Sequence, residues 1–438
     1  MKVDVAILGA GAAGMFVALA AGARGLRVAV FEPQFEKANN LAISGSLFPA
    51  AGSALQIAAG IQDSPEVWLE DLRRFAPGMV NERIAESVAH ALPEATAFLM
   101  RSDAAAFRFL PDMVAPGHSC RRFHSVDPAS GAALHAWFRR ALEAAPGIDV
   151  LPYRAQVERA SGTFVLCSEQ ARLEAVQVVL AGGGFAGDRG LVARFIPGMG
   201  EALHNGSATN DGSVLQIGLQ WGAQVWGMDG YQGQGHTNPG GATRLGMSIP
   251  SLGGVMVNRE GLRFVAEDIG PSALAPYVLA QSGGVALEVF DAAIESQLGN
   301  HWAYQQAVAA GCVMTAQSVE ALATHAGIDA AALTATLEQA RACAEGMHDP
   351  LGRRRFARVL TAPFKASWVT GALSHTQGGL LTDVNGAVIG ANEQPLGGIF
   401  AAGGCAAGLS GRGAEGYLPG NGLAQAFGLG WRVSQALG

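Results

Sequence analysis

An α/β fold with a helical insert is what this sequence predicts, and three observations predict it. A short apolar strand runs through a glycine-rich turn into a helix over residues 4–23. A second strand follows and ends on an acid, Glu32, and helices over 315–345 lie between two strand-rich stretches.

The first unit is read from Asp4 to Leu8, a strand, then Gly9-Ala10-Gly11-Ala12-Ala13-Gly14, then an apolar helix from Met15 to Ala23. G-x-G-x-x-G carries weight only when it leaves a strand and opens a helix, as here. Gly9 makes the turn, Gly11 lets a diphosphate reach the backbone, and Gly14 lets helix and strand pack closely. Phosphates would sit on the helix N-terminus, beside Ala13. Gly25 ends the helix, Arg27 to Phe31 forms the second strand, and Glu32 stands 18 residues beyond Gly14, placed to bind ribose hydroxyls. An acid there disfavours the 2′-phosphate of NADP; NAD and FAD are not told apart by this unit alone.

Composition limits the class of protein. The 438 residues allow two or three domains, and 49% apolar against 15% charged residues excludes a disordered chain. Sixty glycines are about twice the usual share of roughly 7%, which suits many close backbone approaches to a large ligand. A net charge of −7, with no basic run longer than Arg353-Arg354-Arg355, argues against nucleic acid. The sequence enters its first strand straight after Met1-Lys2, without a leader pattern, and no apolar run suits a membrane span; a cytoplasmic protein is expected. Five separated cysteines without a C-x-x-C pair predict free thiols and no metal site.

Towards the C-terminus, Ser318 and Asp329 are expected N-caps of two helices, and Asn385-Gly386 an expected hairpin turn. A last helix is expected to begin at Asn421 and run through Gly422, Leu423 and Trp431 to Leu437.

Further segments narrow the cofactor. They are Asn39-Asn40 with Ser44-Gly45, Val178 to Phe185 including Ala181 and Gly182, Asn210-Asp211-Gly212, and Val257 to Phe264 with Glu267. Phe290-Asp291, Ser374-His375-Thr376-Gln377-Gly378-Gly379, Ile399 to Gly404 with Gly403, and Gly420-Asn421-Gly422 complete the series. Their order resembles the fumarate reductase/succinate dehydrogenase flavoprotein superfamily, nearer its ketosteroid dehydrogenase and tricarballylate dehydrogenase-like branches than true fumarate reductases.

The resemblance implies a Rossmann-like FAD-binding domain with an inserted α+β capping domain. Its bounds would be 1–236 and 366–438 for the FAD-binding domain and 237–365 for the cap. Some members tether FAD through a histidine near Ser44-Gly45, but none precedes His90 here, so FAD should be noncovalent. His375 would lie against the flavin, and the last helix would point its N-terminus at the flavin ring.

The implied chemistry is dehydrogenation of a C–C bond next to a carboxylate or ketone of a small organic substrate, with hydride transfer to flavin N5. The reverse, an enoate or enone reductase, stays open, as does a non-catalytic flavin-binding protein; a separate electron acceptor or donor is left unidentified. His236 matches a substrate histidine, Ser374 replaces another, and Tyr417 replaces the clamp arginine, as in ketosteroid dehydrogenases. Arg412 would be a carboxylate fork. The proton-donor arginine falls on Pro271 and its relay near Met247 and Pro250, which excludes the fumarate route. Plain alternatives are a packed Tyr417, an Arg412 paired with Glu415 and a turn-forming His236; Tyr231, Tyr277 and Arg244 are weaker site candidates.

Overall fold

A computed structural model describes residues 1–168, 170–241, 243–246, 248–299 and 301–438. The chain divides into two compact units. The first holds residues 1–195, 206–231 and 375–438, and the second holds 196–205 and 232–374.

The first unit is built on one sheet. Its main path orders the strands Ala387–Ile389, Pro395–Ala401, Arg172–Leu180, Lys2–Leu8, Val28–Phe31 and Ile148–Leu151. All neighbours on this path are parallel except the first pair. Lys2–Leu8 and Val28–Phe31 read as near-continuous apolar runs because the strands are buried on both faces. A hairpin of Gln156–Ala160 and Thr163–Cys167 adds antiparallel to Arg172–Leu180.

The register decides what the sheet can hold. Leu8 pairs with Phe31 and with Leu180, and Ala401 pairs with Leu180. Gly9, Glu32, Ala181 and Ala402 therefore all leave one carboxyl edge, the edge where open parallel sheets bind ligands.

Three helices of this unit, Ala12–Gly22, Glu82–Ser102 and Asn421–Ala436, share an aromatic core. Phe427 lies 5.3 Å from Phe16, 5.1 Å from Phe48 and 5.9 Å from Phe138, centroid to centroid. The last helix is thus tied to the first by sequence-distant packing. It starts at Asn421, as expected, with Gly420 at φ 90° as its N-cap.

The second unit has its own sheet, in the order Leu203–His204, Phe364–Thr376, Val285–Asp291, Val255–Val257, with Tyr231–Thr237 and Met314–Ala316 also pairing the long Phe364–Thr376 strand. Separate apolar clusters gather around Phe290 and around Leu287. Ser318 and Asp329 cap Val319–Ala326 and Ala330–Ala344, each accepting from the N–H three residues on. The unit reaches beyond the expected 237–365 because most of the paired strands Tyr231–Thr237 and Phe364–Thr376, and the segment 196–205, pack within it. The Val257–Phe264 segment is a scaffold here: Arg263 forks to Glu267 and to Asp349, and buried Arg353 joins Glu267. Among the described residues, no helix is long and apolar enough to cross a membrane.

Candidate functional site

At the carboxyl edge of the first unit's sheet, Gly9 adopts φ 106° and donates its N–H to the Phe31 carbonyl at 2.8 Å. A Cβ at Gly9 would stand 2.6 Å from the Ala181 oxygen, and one at Gly14 would stand 1.9 Å from the Gly9 oxygen. Those two glycines are dictated by backbone packing. Gly11 differs: a Cβ there would meet nothing within 4 Å. It would project into open space at the start of Ala12–Gly22, a helix with no side-chain cap and no acid in its first turn. Uncapped N–H groups, the positive end of the helix dipole and that space together fit a diphosphate.

Glu32 accepts from the Ala10 N–H at 3.1 Å and the Gln34 N–H at 3.0 Å. Its carboxylate is thereby fixed at the strand end beside the glycine turn, with lone pairs left for ribose hydroxyls. Asn39, not Asn40, secures the turn: its Nδ2 donates to the Ala10 carbonyl at 3.0 Å, and its Oδ1 accepts from Leu41 and Ala42. Asn40 instead accepts from the Ser207 N–H, and Ser44 bonds the Leu41 carbonyl and the Ser46 N–H. The Asn-Asn pair was the available signal, but only three-dimensional contacts separate its two members. Gly45 has room, a Cβ there lying 3.8 Å from Leu47.

Gly182, Gly403 and Gly404 are close-approach positions. Added Cβ atoms would fall 2.3 Å from Val214, 2.8 Å from Ala13 and 2.9 Å from the Gly184 nitrogen, respectively. They bring the loops after the parallel strands Arg172–Leu180 and Pro395–Ala401 against each other and, through Gly403 and Ala181, against the glycine turn and its helix.

The start of the closing helix gathers the other residues of this unit. The rings of His375 and Tyr417 meet edge to face at 5.2 Å. A Cβ on Gly422 would lie 3.6 Å from His375 and 3.7 Å from the Tyr417 hydroxyl. Asn421 donates to Ser410 Oγ at 2.9 Å, and Ser410 donates to the Gly416 carbonyl, which fixes the loop carrying Tyr417. Gln425 braces the far side by donating to the Gly403, Ala406 and Ala407 carbonyls. Burial pushes the Tyr417 phenol up to about 12, with the Gly422 N–H offsetting part of the shift. Burial likewise lowers the His375 imidazole below its usual range, against the Thr376 carbonyl. Gln377 bonds His375 Nδ1 at 3.1 Å.

Arg412 is exposed, and among the described residues it forms no ion pair with Glu415. Tyr231 is buried, which with the nearby Glu415 charge raises its phenol to about 12.

Within the second unit, His236 is fully buried and its Nδ1 stands 3.0 Å from both oxygens of Glu288, also fully buried. This is no turn histidine, since it sits within the strand Tyr231–Thr237. Sequence reading missed Glu288, which no motif marks. Ser374 is half-buried near the end of the long strand. Tyr277 is 48% exposed. Arg244 has its guanidinium lowered by burial. Pro271 opens the helix Pro271–Leu279 and Pro250 a single 3₁₀ turn, so neither position offers a titrating group; Met247 lies outside the described residues.

Residues 4–423 match the family described as "FAD binding domain". The chain is 26% identical over 423 residues to the NADH:fumarate oxidoreductase of Klebsiella pneumoniae, covering 93% of this chain and 45% of that protein. It therefore spans about half the length of that relative. Among solved structures, the open conformation of a flavocytochrome c3 fumarate reductase superposes with a TM-score of 0.86 at 23% identity, over 99% of this chain and 77% of that one. The 3-ketosteroid-Δ4-(5α)-dehydrogenase of Rhodococcus jostii RHA1 gives 0.75 at 22% identity, over 99% and 96%. A glycine cradle, an acid and a helix N-terminus on one sheet edge suit a dinucleotide, and the chain belongs to the FAD binding domain family, within the fumarate reductase/succinate dehydrogenase flavoprotein superfamily.

Proposed function

We propose that this chain is an FAD-dependent oxidoreductase that dehydrogenates a C–C bond next to a carboxylate or ketone in a small organic substrate. The observation that carries this reading is Tyr417, its phenol held protonated at the start of the closing helix, within reach of the Gly422 N–H. A neutral O–H and a helix N-terminus are donors aimed at an oxygen that gains charge, as an enolate oxygen does. Bound FAD supplies the hydride acceptor.

The chain's own residues do the rest. Tyr417 holds the substrate oxygen as a donor; at about 12 its phenol keeps its proton at neutral pH and so does not serve as the base. The proton step is assigned to His236, with Ser374 as a neutral donor and exposed Arg412 as a first contact for a carboxylate. Glu32, Gly11, Ala13 and the 181–182, 403–404 and 420–423 segments hold FAD. The cofactor is held noncovalently, which the lack of any histidine before His90 supports. Five free thiols fit a reducing, cytoplasmic setting.

The reverse reaction, reduction of an enoate or enone, is favoured by one specific observation: the Klebsiella relative is named for fumarate. Anaerobic stopped-flow spectrophotometry separates the two. Bleaching of the flavin by saturated acids or ketones supports dehydrogenation. Reoxidation of chemically reduced flavin by enoates or enones, with no bleaching, transfers the assignment to a reductase. Neither response, across both sets, removes the catalytic reading. Because Pro271 and Pro250 carry no ionisable side chain, fumarate is expected to reoxidise the enzyme no faster than a buffer control.

A further inference from the structure

Two histidines of the first unit show what a structural histidine does in this protein. His124 spends Nε2 on the Ser53 hydroxyl at 2.8 Å and Nδ1 on the Arg122 carbonyl at 3.0 Å. His118 spends Nε2 on the Pro419 carbonyl at 2.9 Å and Nδ1 on Arg122 at 3.2 Å. His236 spends only one nitrogen. Its Nδ1 faces Glu288, while Nε2 is buried and finds no hydrogen-bond partner among the described residues.

Glu288 is itself out of place by local rules. It lies mid-strand in Val285–Asp291, paired in register with Met256 and Ser367, and its chain neighbours Leu287, Val289 and Phe290 are all fully buried. An apolar residue would suit the position, because a buried carboxylate is costly unless paired and hydrogen-bonded. Both of its oxygens stand 3.0 Å from one nitrogen. A carboxylate has no proton to give, so the proton of that bond belongs to Nδ1. The ring is further held through its backbone, the Leu245 N–H donating to the His236 carbonyl at 2.9 Å.

We propose that Glu288 is a positioning residue for His236, holding the Nδ1 proton and so making Nε2 the nitrogen that takes up and returns the substrate proton. This rests on His236 carrying the proton step of the proposed reaction. In the neutral ring Nε2 presents a lone pair; once it has taken a proton from carbon, the ring's positive charge lies against Glu288. The proton on Nδ1 stays in place throughout, and the electron pair of the broken C–H bond remains with the substrate carbon.

The proposal is tested on the FAD-loaded full chain labelled with [15N]histidine. Two-bond 1H–15N NMR spectra, assigned with His236→Gln, read which nitrogen of His236 is protonated without any substrate. An Nδ1–H tautomer is expected in the wild type, kept in Glu288→Gln, and lost in Glu288→Leu, which removes the acceptor but suits the apolar strand. An Nε2–H tautomer in the wild type, or an Nδ1–H that survives Glu288→Leu, overturns it. Kinetics then use crotonate as the oxidant of chemically reduced flavin. Glu288→Gln is expected to slow the limiting rate about tenfold or more while leaving half-saturation within about twofold. Equal losses in both variants of flavin content and thermal stability, with no change in limiting rate, make Glu288 merely structural. If the tautomer follows Glu288 but His236→Gln leaves the rate unchanged, the proton role of His236 fails.

Discussion

A Cβ at Gly11 would meet nothing of the chain within 4 Å, whereas one at Gly14 would lie 1.9 Å from the Gly9 oxygen. The two glycines therefore fail differently. Gly11→Ala should fold with an unchanged melting temperature and lose FAD affinity by about tenfold or more, since the methyl group occupies the diphosphate space. Gly14→Ala should fold poorly, because backbone has to move. Thermal melts with FAD titration check both, and a Gly11→Ala variant with wild-type affinity would remove the cradle assignment. At Tyr417, Phe should lower the limiting rate by about 10²–10³, the usual loss for one donor to a developing oxyanion, with flavin content unchanged. The phenol at about 12 also fixes a sign: the O–H persists through pH 10, where an ordinary tyrosine is half ionised. The rate should hold its plateau through pH 10 in the wild type.

Between the elements, the strand Phe123–Val126 and the segment before it seat the start of the closing helix. His118 reaches the Pro419 carbonyl, a Cβ on Gly117 would press Leu418 at 2.7 Å, and one on Gly420 would press Phe123 and Pro49 at 2.9 Å. Behind His118, fully buried Arg122 forks to Asp63 and reaches Asp71. Burial lowers both His118 and His124 to about 4. The folded state then holds both neutral where the unfolded chain binds protons at about 6.5. Their contribution is complete above that value and is lost as pH falls through 4. Each histidine should withdraw on the order of 1–3 kcal/mol across that window. Denaturant melts at pH 7 and pH 4.5 should show the loss, and His124→Gln should blunt it; an unblunted loss places the acid sensitivity elsewhere. Arg122→Met should destabilise by about 3–5 kcal/mol, since it leaves buried Asp63 without its cation and takes one of two from Asp71, which keeps Arg74.

For the whole molecule, the first unit closes only when residues 375–438 return to it. They bring the parallel strand Pro395–Ala401 and the helix whose Phe427 meets Phe16, Phe48 and Phe138. A chain ended after Ser374 should therefore be insoluble or flavin-free, judged by expression and bound-flavin absorbance. A soluble, yellow truncation would show that the N-terminal segments close a core alone. The second unit adds to its own sheet and apolar clusters a buried ionic network of Arg263, Glu267, Asp349 and Arg353.

The sequence by itself determined the strand–turn–helix of Gly9, Gly11 and Gly14, the acid at Glu32, the caps Ser318 and Asp329, and the onset of the closing helix at Asn421. Each depends on local sterics, capping or spacing, which a few consecutive residues express. Contacts between distant segments were decided only by the tertiary structure. Local sequence could not tell Asn39 from Asn40, show that Gly403 abuts Ala13 while Gly11 faces open space, or reveal that among the described residues no ion pair joins Arg412 to Glu415. Nor could it mark Glu288, an acid in an apolar strand whose meaning comes from a histidine 52 residues away. Burial gives such a pair its energy, and burial is a property of the assembled sheet.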